Sequence, residues 1–204
     1  MANKNKPVSV CTWPGLASYE DPARAETVRL FCGRDKDSEQ LSYQIDRELY
    51  VTLYGRSGIG KTSLINAGVF PRLRESGYLP LSLRLGRLDE ACSYQSFLLS
   101  SLEQELAAAG CRTEVIDVVA PQEDESATDY LWNYFARHRF FSADGAPRFP
   151  VFVFDQFEEV FSSRPAAAAV LLEPLFPMLV VRSARQAKLF AVFSSVSEPS
   201  FTTL

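Results

Sequence analysis

The chain has 204 residues, 47% of them hydrophobic and 23% charged, with a formal net charge of −4. That is enough chain for one domain with a full core, and its mildly acidic balance excludes the global basic field of a nucleic-acid or membrane-surface binder. No stretch reaches the roughly 18 apolar residues of a membrane span, and MANKNKPVSV carries no apolar run of signal-peptide length, so the expected setting is the cytoplasm.

Residues 1–26 hold Pro7, Pro14, Gly15 and Pro22 and read as an extended lead. Its Trp13, Leu16 and Tyr19 are apolar enough to pack on the domain that follows, residues 27–204. In DKDSEQLSYQIDREL, Asp35 to Leu49, the spacing of Leu41, Ile45 and Leu49 predicts an amphipathic helix, with Asp35 or Asp37 as its N-cap. LYVTLY, Leu49 to Tyr54, predicts a buried strand ending in Gly55. A helix is expected from near Gly60 through TSLINAGVF, kinked or ended by Pro71. YLPLSLRL, Tyr78 to Leu85, predicts a strand that Pro80 places near an edge or at its start. Ser93 to Gly110 predicts a helix closed by its glycine.

After an acidic loop around Gln122 to Glu125, a helix is expected through TDYLWNYFARHRF, capped by Ser126. The aromatics Tyr130, Trp132, Tyr134, Phe135, Phe140 and Phe141 are assigned to the core. FPVFVF, Phe149 to Phe154, is a continuous apolar run, as expected of a strand buried on both faces. Pro165 to Lys188 reads as helical with a break at Pro174 to Pro177, and LFAVF, Leu189 to Phe193, as the last strand. Strands alternating with helices predict an α/β fold of three layers, a mostly parallel sheet covered by helices on both faces. The cysteines Cys11, Cys32, Cys92 and Cys111 show no CxxC spacing and, with the single histidine His138, make no zinc set. They read as free buried thiols.

GRSGIGKT, Gly55 to Thr62, matches G-x-x-x-x-G-K-[ST] between a predicted strand and a predicted helix, the context that motif needs. Gly55, Gly58 and Gly60 let the backbone of Arg56, Ser57 and Ile59 curl its N–H groups inward onto phosphate oxygens. The helix start through Ser63 adds its positive dipole end. Lys61 reaches the outer phosphates, and the Thr62 hydroxyl suits Mg²⁺, which takes one or two protein ligands. The loop reads phosphates and not the base, but no guanine-reading Asn-Lys-x-Asp is present, which favours ATP.

Asp155 closes the buried strand FPVFVF. In an open parallel sheet ligands sit beyond the strands' C-terminal ends, so Asp155 can face the loop and hold Mg²⁺ directly or through water. If the chain turns helical at once, Glu158 and Glu159 fall on the face nearest Asp155, and either is a candidate to polarise a water. Their alternative role is as exposed first-turn carboxylates favoured by the helix dipole. Gln156 stands where many hydrolases carry a catalytic glutamate, an argument against fast turnover.

Four motifs in order resemble the P-loop domain of STAND NTPases, in the bacterial branch called novel STAND NTPase 1. WPGLASYEDPARAE, Trp13 to Glu26, is similar to that family's Tyr-x-Gly-Leu-x-x-Phe lead. LFCGRDKDSEQL, Leu30 to Leu41, is similar to its Phe-x-Gly-Arg-[Asp/Glu] element, and GRSGIGKTSLINAGVFPRLR, Gly55 to Arg74, to its P-loop region. DQFEEVF, Asp155 to Phe161, matches its Asp-Gln-Phe-Glu-Glu-[Leu/Val]-Phe element almost letter for letter.

The resemblance implies a nucleotide-operated switch that sits between effector and sensor domains and self-associates when ATP binds, in many members for defence against phage. It also implies that Phe31, Gly33 and Arg34 lie near the nucleotide. In the family, LFAVF is followed by a segment with a candidate sensor arginine. Here SSVSEPSFTTL follows and no arginine occurs after Arg185. Lid, winged-helix and sensor regions are expected to be missing, as in a truncated reading frame or a fragment, with a free-standing small subunit as the alternative. The competing functions are a slowly hydrolysing ATP-dependent module, a folded interaction module without turnover, and a metabolic kinase, for which no arginine-rich lid is found.

Overall fold

Local sequence preference and burial agree over most of the described residues. In a computed structural model, residues 19, 31–48, 50–84, 93–116, 127–159 and 188–194 are described. The elements are α1 (Asp35–Arg47), β1 (Tyr50–Gly55), a composite helix α2, β2 (Tyr78–Leu83), α3 (Tyr94–Ala108), β3 (Arg112–Val115), α4 (Ala127–Arg137), β4 (His138–Phe141), β5 (Pro147–Phe154) and β6 (Lys188–Ser194). Helix α2 runs through Lys61–Ser63, a π-helical Leu64–Val69 and Phe70–Glu75.

Strand β5 is the centre of the sheet. Phe152 pairs in parallel with Leu189 of β6 and with Leu81 of β2, so both of its edges are used. Beyond β6 lies β1, also parallel. The strand leading to the glycine loop and the strand leading to Asp155 are therefore not adjacent; β6, the last strand in sequence, lies between them.

Side chains of β5 alternate between two apolar layers. Val151 and Val153 join Leu41 and Ile45 of α1 and Leu64, Val69, Phe70 and Leu73 of α2. Phe152 and Phe154 join Leu98, Leu102 and Leu106 of α3, Leu131 and Phe135 of α4, and Leu81 of β2. Residues 151–154 are at most 1% exposed, which is why this strand reads as an unbroken apolar run. The three-layer expectation holds.

The sheet is more mixed than expected. Strands β3 and β4 pair antiparallel, and β4 pairs antiparallel with Pro147 and Arg148 at the start of β5. Strand β4 replaces the end of a predicted helix: HRFF leaves the helical path after Arg137. Phe140 is thereby buried, its ring 6.4 Å from that of Phe135, and burial outweighs a helical continuation. Strand β3 shows no apolar alternation, every residue being exposed, so nothing in its sequence announced it. Phe135 and Phe140 are core as expected, Tyr134 is partly buried against them, and Phe141 is half-buried. The side chains of Tyr130 and Trp132 lie outside the described residues, as does the helix expected over residues 165–188 up to its last residue, Lys188, which instead opens β6.

Other boundaries moved for identifiable reasons. The N-cap of α1 is Arg34, without a side-chain cap; Asp35 and Asp37 lie in the first turn instead, where the helix dipole favours them. The Ser38 hydroxyl donates to the Arg34 carbonyl at 2.9 Å. Strand β1 is not buried throughout: exposure alternates, with Tyr50 at 48% and Tyr54 at 71%. Pro71 does not end α2. The π-helical stretch precedes it, so the residue without an N–H starts a fresh α-helical turn and the helix continues to Glu75. Helix α3 follows the prediction closely: the Ser93 hydroxyl accepts from the Ser96 amide at 3.2 Å, and Gly110 leaves with φ +62°. Of the cysteines, Cys32 is exposed and Cys111 half-buried, both free, so the buried-thiol expectation fails at Cys32.

Gly68 lies in the π-helical stretch where α1 crosses α2. A Cβ there would overlap the Ser38 hydroxyl and stand 3.1 Å from the Phe31 ring. Gly68→Ala is expected to lower the unfolding free energy by about 1–3 kcal/mol, the usual cost of overpacking, and Ser38→Ala in the same chain to restore part of it. Urea melts of the two variants measure both effects.

Candidate functional site

The loop after β1 is built by two left-handed residues. Gly58 has φ +81° and Gly60 φ +83°, backbone that a Cβ disfavours. Gly60 is the N-cap of α2, and its carbonyl accepts from the Leu64 amide at 2.9 Å. The first-turn amides of α2 thus open into the loop, the arrangement that suits a phosphate.

Lys61 is 6% exposed, and its Nζ donates to the carbonyls of Gly55 and Arg56, each at 2.8 Å. The lysine bridges the loop's own entry. Desolvation holds Lys61 below the ordinary lysine value, while the charges of Glu158 and Asp155 act in the opposite sense. Both carboxylates therefore lie within electrostatic reach of the ammonium.

Asp155 arrives from the far side of β6. Its amide donates to the Leu83 carbonyl at 2.9 Å, fastening it to the end of β2. Its Oδ2 accepts from the Thr62 hydroxyl at 3.1 Å across 93 positions of sequence. Its Oδ1 is buried and makes no hydrogen bond. A hydroxyl and a carboxylate meeting this way, with one carboxylate oxygen unsatisfied in the interior, fit a hard cation that takes few protein ligands. Thr62 and Asp155 are the residues that would hold Mg²⁺.

Asp155 does not start a helix directly. Gln156 has φ +55°, the one positive value at a non-glycine among the described residues. Its carbonyl accepts from the Glu159 amide at 3.0 Å, and helix begins at Glu158. The helical-face argument for Glu158 and Glu159 is thus replaced by a turn, and the turn separates them. The charge of Glu158 acts on Lys61. Glu159 accepts from Arg84 Nη2 at 2.7 Å and from Arg84 Nε at 3.2 Å. Arg84 was not anticipated; a basic residue just past a strand's C-terminal end is the signal that marks it.

The Phe31–Arg34 segment meets the same loop. Arg34 Nη1 donates to the Ile59 carbonyl at 3.1 Å, and its Nε pairs with Asp37 at 2.9 Å. Gly33 has φ +84°. Phe31 packs on the core formed by α1 and α2 and edge-on to Tyr19 at 5.7 Å. The Tyr19 amide lies 3.4 Å from the Ser63 hydroxyl. Arg34 contacts the loop from outside, through a carbonyl. Arg56, Ser57 and Ile59 are exposed on the loop, Ile59 at 52%.

The family model described as novel STAND NTPase 1 matches residues 13–194. No curated protein matches the chain by sequence. Among solved structures, a Walker-type ATPase of Pyrococcus abyssi is similar with a TM-score of 0.50 and 13% identity, over 81% of this chain and 46% of that one. The ORC2 protein of Aeropyrum pernix, solved in ADPNP–ADP complexes, has a TM-score of 0.49 and 16% identity, over 81% of this chain and 42% of that one. The chain thus spans less than half the length of these structures. With the topology above, the fold is that of a P-loop NTPase.

The left-handed backbone at Gln156 is a constraint that substitution can read. Gln156→Val is expected to destabilise by about 1–3 kcal/mol, the cost of forcing a β-branched residue into that region. Gln156→Gly is expected to stay within about 1 kcal/mol of the parent. Chemical denaturation of both variants checks the contrast.

Proposed function

Since the chain belongs to the novel STAND NTPase 1 family, a nucleotide-binding NTPase module, we propose that it works as a nucleotide-operated switch, binding ATP with Mg²⁺ and hydrolysing it slowly. The observation that carries this is the meeting of Thr62 and Asp155 at 3.1 Å beside Lys61, with the second Asp155 oxygen buried and unsatisfied. The loop from Gly55 to Ser63 receives the phosphates: backbone amides orient them and Lys61 supplies the charge. Bound phosphate offers the Lys61 ammonium a stronger partner than the two loop carbonyls it now meets. Thr62 and Asp155 would hold Mg²⁺, which would supply electrostatic stabilisation of the phosphoryl charge.

Glu158 is the carboxylate proposed to orient a water, because its charge acts on Lys61 while Glu159 is engaged by Arg84. Gln156 directly after Asp155 favours slow turnover, which a switch requires. The second reading, a folded interaction module without hydrolysis, rests on that same glutamine. Family membership further supports a role in signalling or defence, with self-association or sensor and effector partners, in the cytoplasm.

Calorimetry with Mg²⁺ and ATP tests the binding half. Lys61→Ala is expected to weaken binding by about 10-fold or more, as for loss of a hydrogen bond to a charged group. Unchanged affinity in that variant would sink the nucleotide reading. Asp155→Asn is expected to keep metal-free binding and to lose the enhancement given by Mg²⁺. Single-turnover assays test the chemistry. Glu158→Gln is expected to slow hydrolysis by about 10²-fold or more with binding retained. Hydrolysis at the uncatalysed rate in the parent protein would favour the interaction module.

A further inference from the structure

The turn from Asp155 to Glu159 packs three carboxylates into five residues. The charges of two of them, Glu158 and Asp155, act on Lys61 in the loop. Arg84, the first residue after β2, meets both oxygens of Glu159 in a fork of 2.7 and 3.2 Å. The two side chains are 35% and 36% exposed, so the pair is neither fully solvated nor sealed. Its base is stiff. The Leu83 carbonyl accepts the Asp155 amide at 2.9 Å, and the Gln156 carbonyl accepts the Glu159 amide at 3.0 Å. A guanidinium just past the end of one strand therefore grips a carboxylate on the turn that follows its neighbour β5, with the backbone hydrogen-bonded on both sides.

The bidentate geometry matters because a guanidinium fixes direction as well as charge. We infer that Arg84 is a positioning residue: its fork draws Glu159 away from the phosphate end of the site and leaves Glu158 as the glutamate available there. This rests on the nucleotide reading above. It adds that the site divides its glutamates by charge pairing. Without Arg84, the charge of Glu159 beside Glu158 and Asp155 loses its forked guanidinium partner, and the added repulsion falls most heavily on the ligand with the most phosphate charge.

The test is calorimetric titration of the full chain with Mg²⁺ and either ATP or ADP. Arg84→Ala is expected to weaken ATP binding by about five-fold and ADP binding by less, since the repulsion scales with ligand charge. Adding Glu159→Gln to Arg84→Ala removes that carboxylate charge and is expected to bring ATP affinity back to within about two-fold of the parent. Arg84→Lys, which keeps the charge and loses the fork, is expected to bind ATP nearly as the parent and to hydrolyse it more slowly. Thermal melts establish that each variant is folded.

An ion pair that only braces the fold gives the opposite pattern, with the double variant at least as impaired as Arg84→Ala for both nucleotides; that pattern overturns the inference. So does an Arg84→Ala variant with the parent's ATP affinity. Failure of the parent chain to bind either nucleotide overturns the nucleotide reading, and this inference with it; a difference confined to the variants bears on Arg84 alone.

Discussion

The burial of β5 on both faces and both edges is the constraint on which the rest of the molecule depends. Val151 and Val153 commit one face to α1 and α2, and Phe152 and Phe154 commit the other to α3 and α4. A strand held on four sides cannot slip by one residue without exchanging valines for phenylalanines in both layers. Each of those phenylalanines contributes about 3–5 kcal/mol by the usual cost of truncation. The position of Asp155, the first residue past that strand, follows from this packing to within the tolerance of a core.

Where Asp155 must go is decided by the other half of the site. Strand β6 separates β1 from β5, so two strand spacings, about 10 Å, lie between the end of β1 and the end of β5. The glycine loop spans part of that gap by folding over, with left-handed backbone at Gly58 and Gly60. Helix α2 then starts far enough across for the Thr62 hydroxyl to reach Asp155. Strain at Gln156 belongs to the same geometry. The chain leaves β5 by a left-handed residue, and the turn that follows sends Glu159 to Arg84.

The layer of α1 and α2 supports the loop from behind. Gly68 lets Ser38 approach closely, the π-helical stretch absorbs Pro71, and Phe31 fills the space beside them. Arg34 then reaches the Ile59 carbonyl. The resemblance placed Phe31, Gly33 and Arg34 near the nucleotide. In the structure Arg34 meets the loop itself, so its contact with the site passes through the loop backbone.

Much of this was legible in the residues. The glycine pattern, the apolar run FPVFVF, the spacing of Leu41 and Ile45 and the serine cap of α3 are local signals, each set by a preference that acts within a few positions. They identified the phosphate loop, the central strand and Asp155 without any coordinates. Strand β3, the end of α4, the exposure of Tyr50 and Tyr54, and the order of the parallel strands were not legible, because each depends on what a distant segment covers or pairs with. The division between Glu158 and Glu159 belongs to this second group. Two neighbouring glutamates are equivalent by type and spacing. They become different only when a left-handed turn at Gln156 and a guanidinium 75 positions away, on Arg84, impose a direction on each. Local chemistry determined which groups this protein brings to a phosphate; long-range packing decided which way they point.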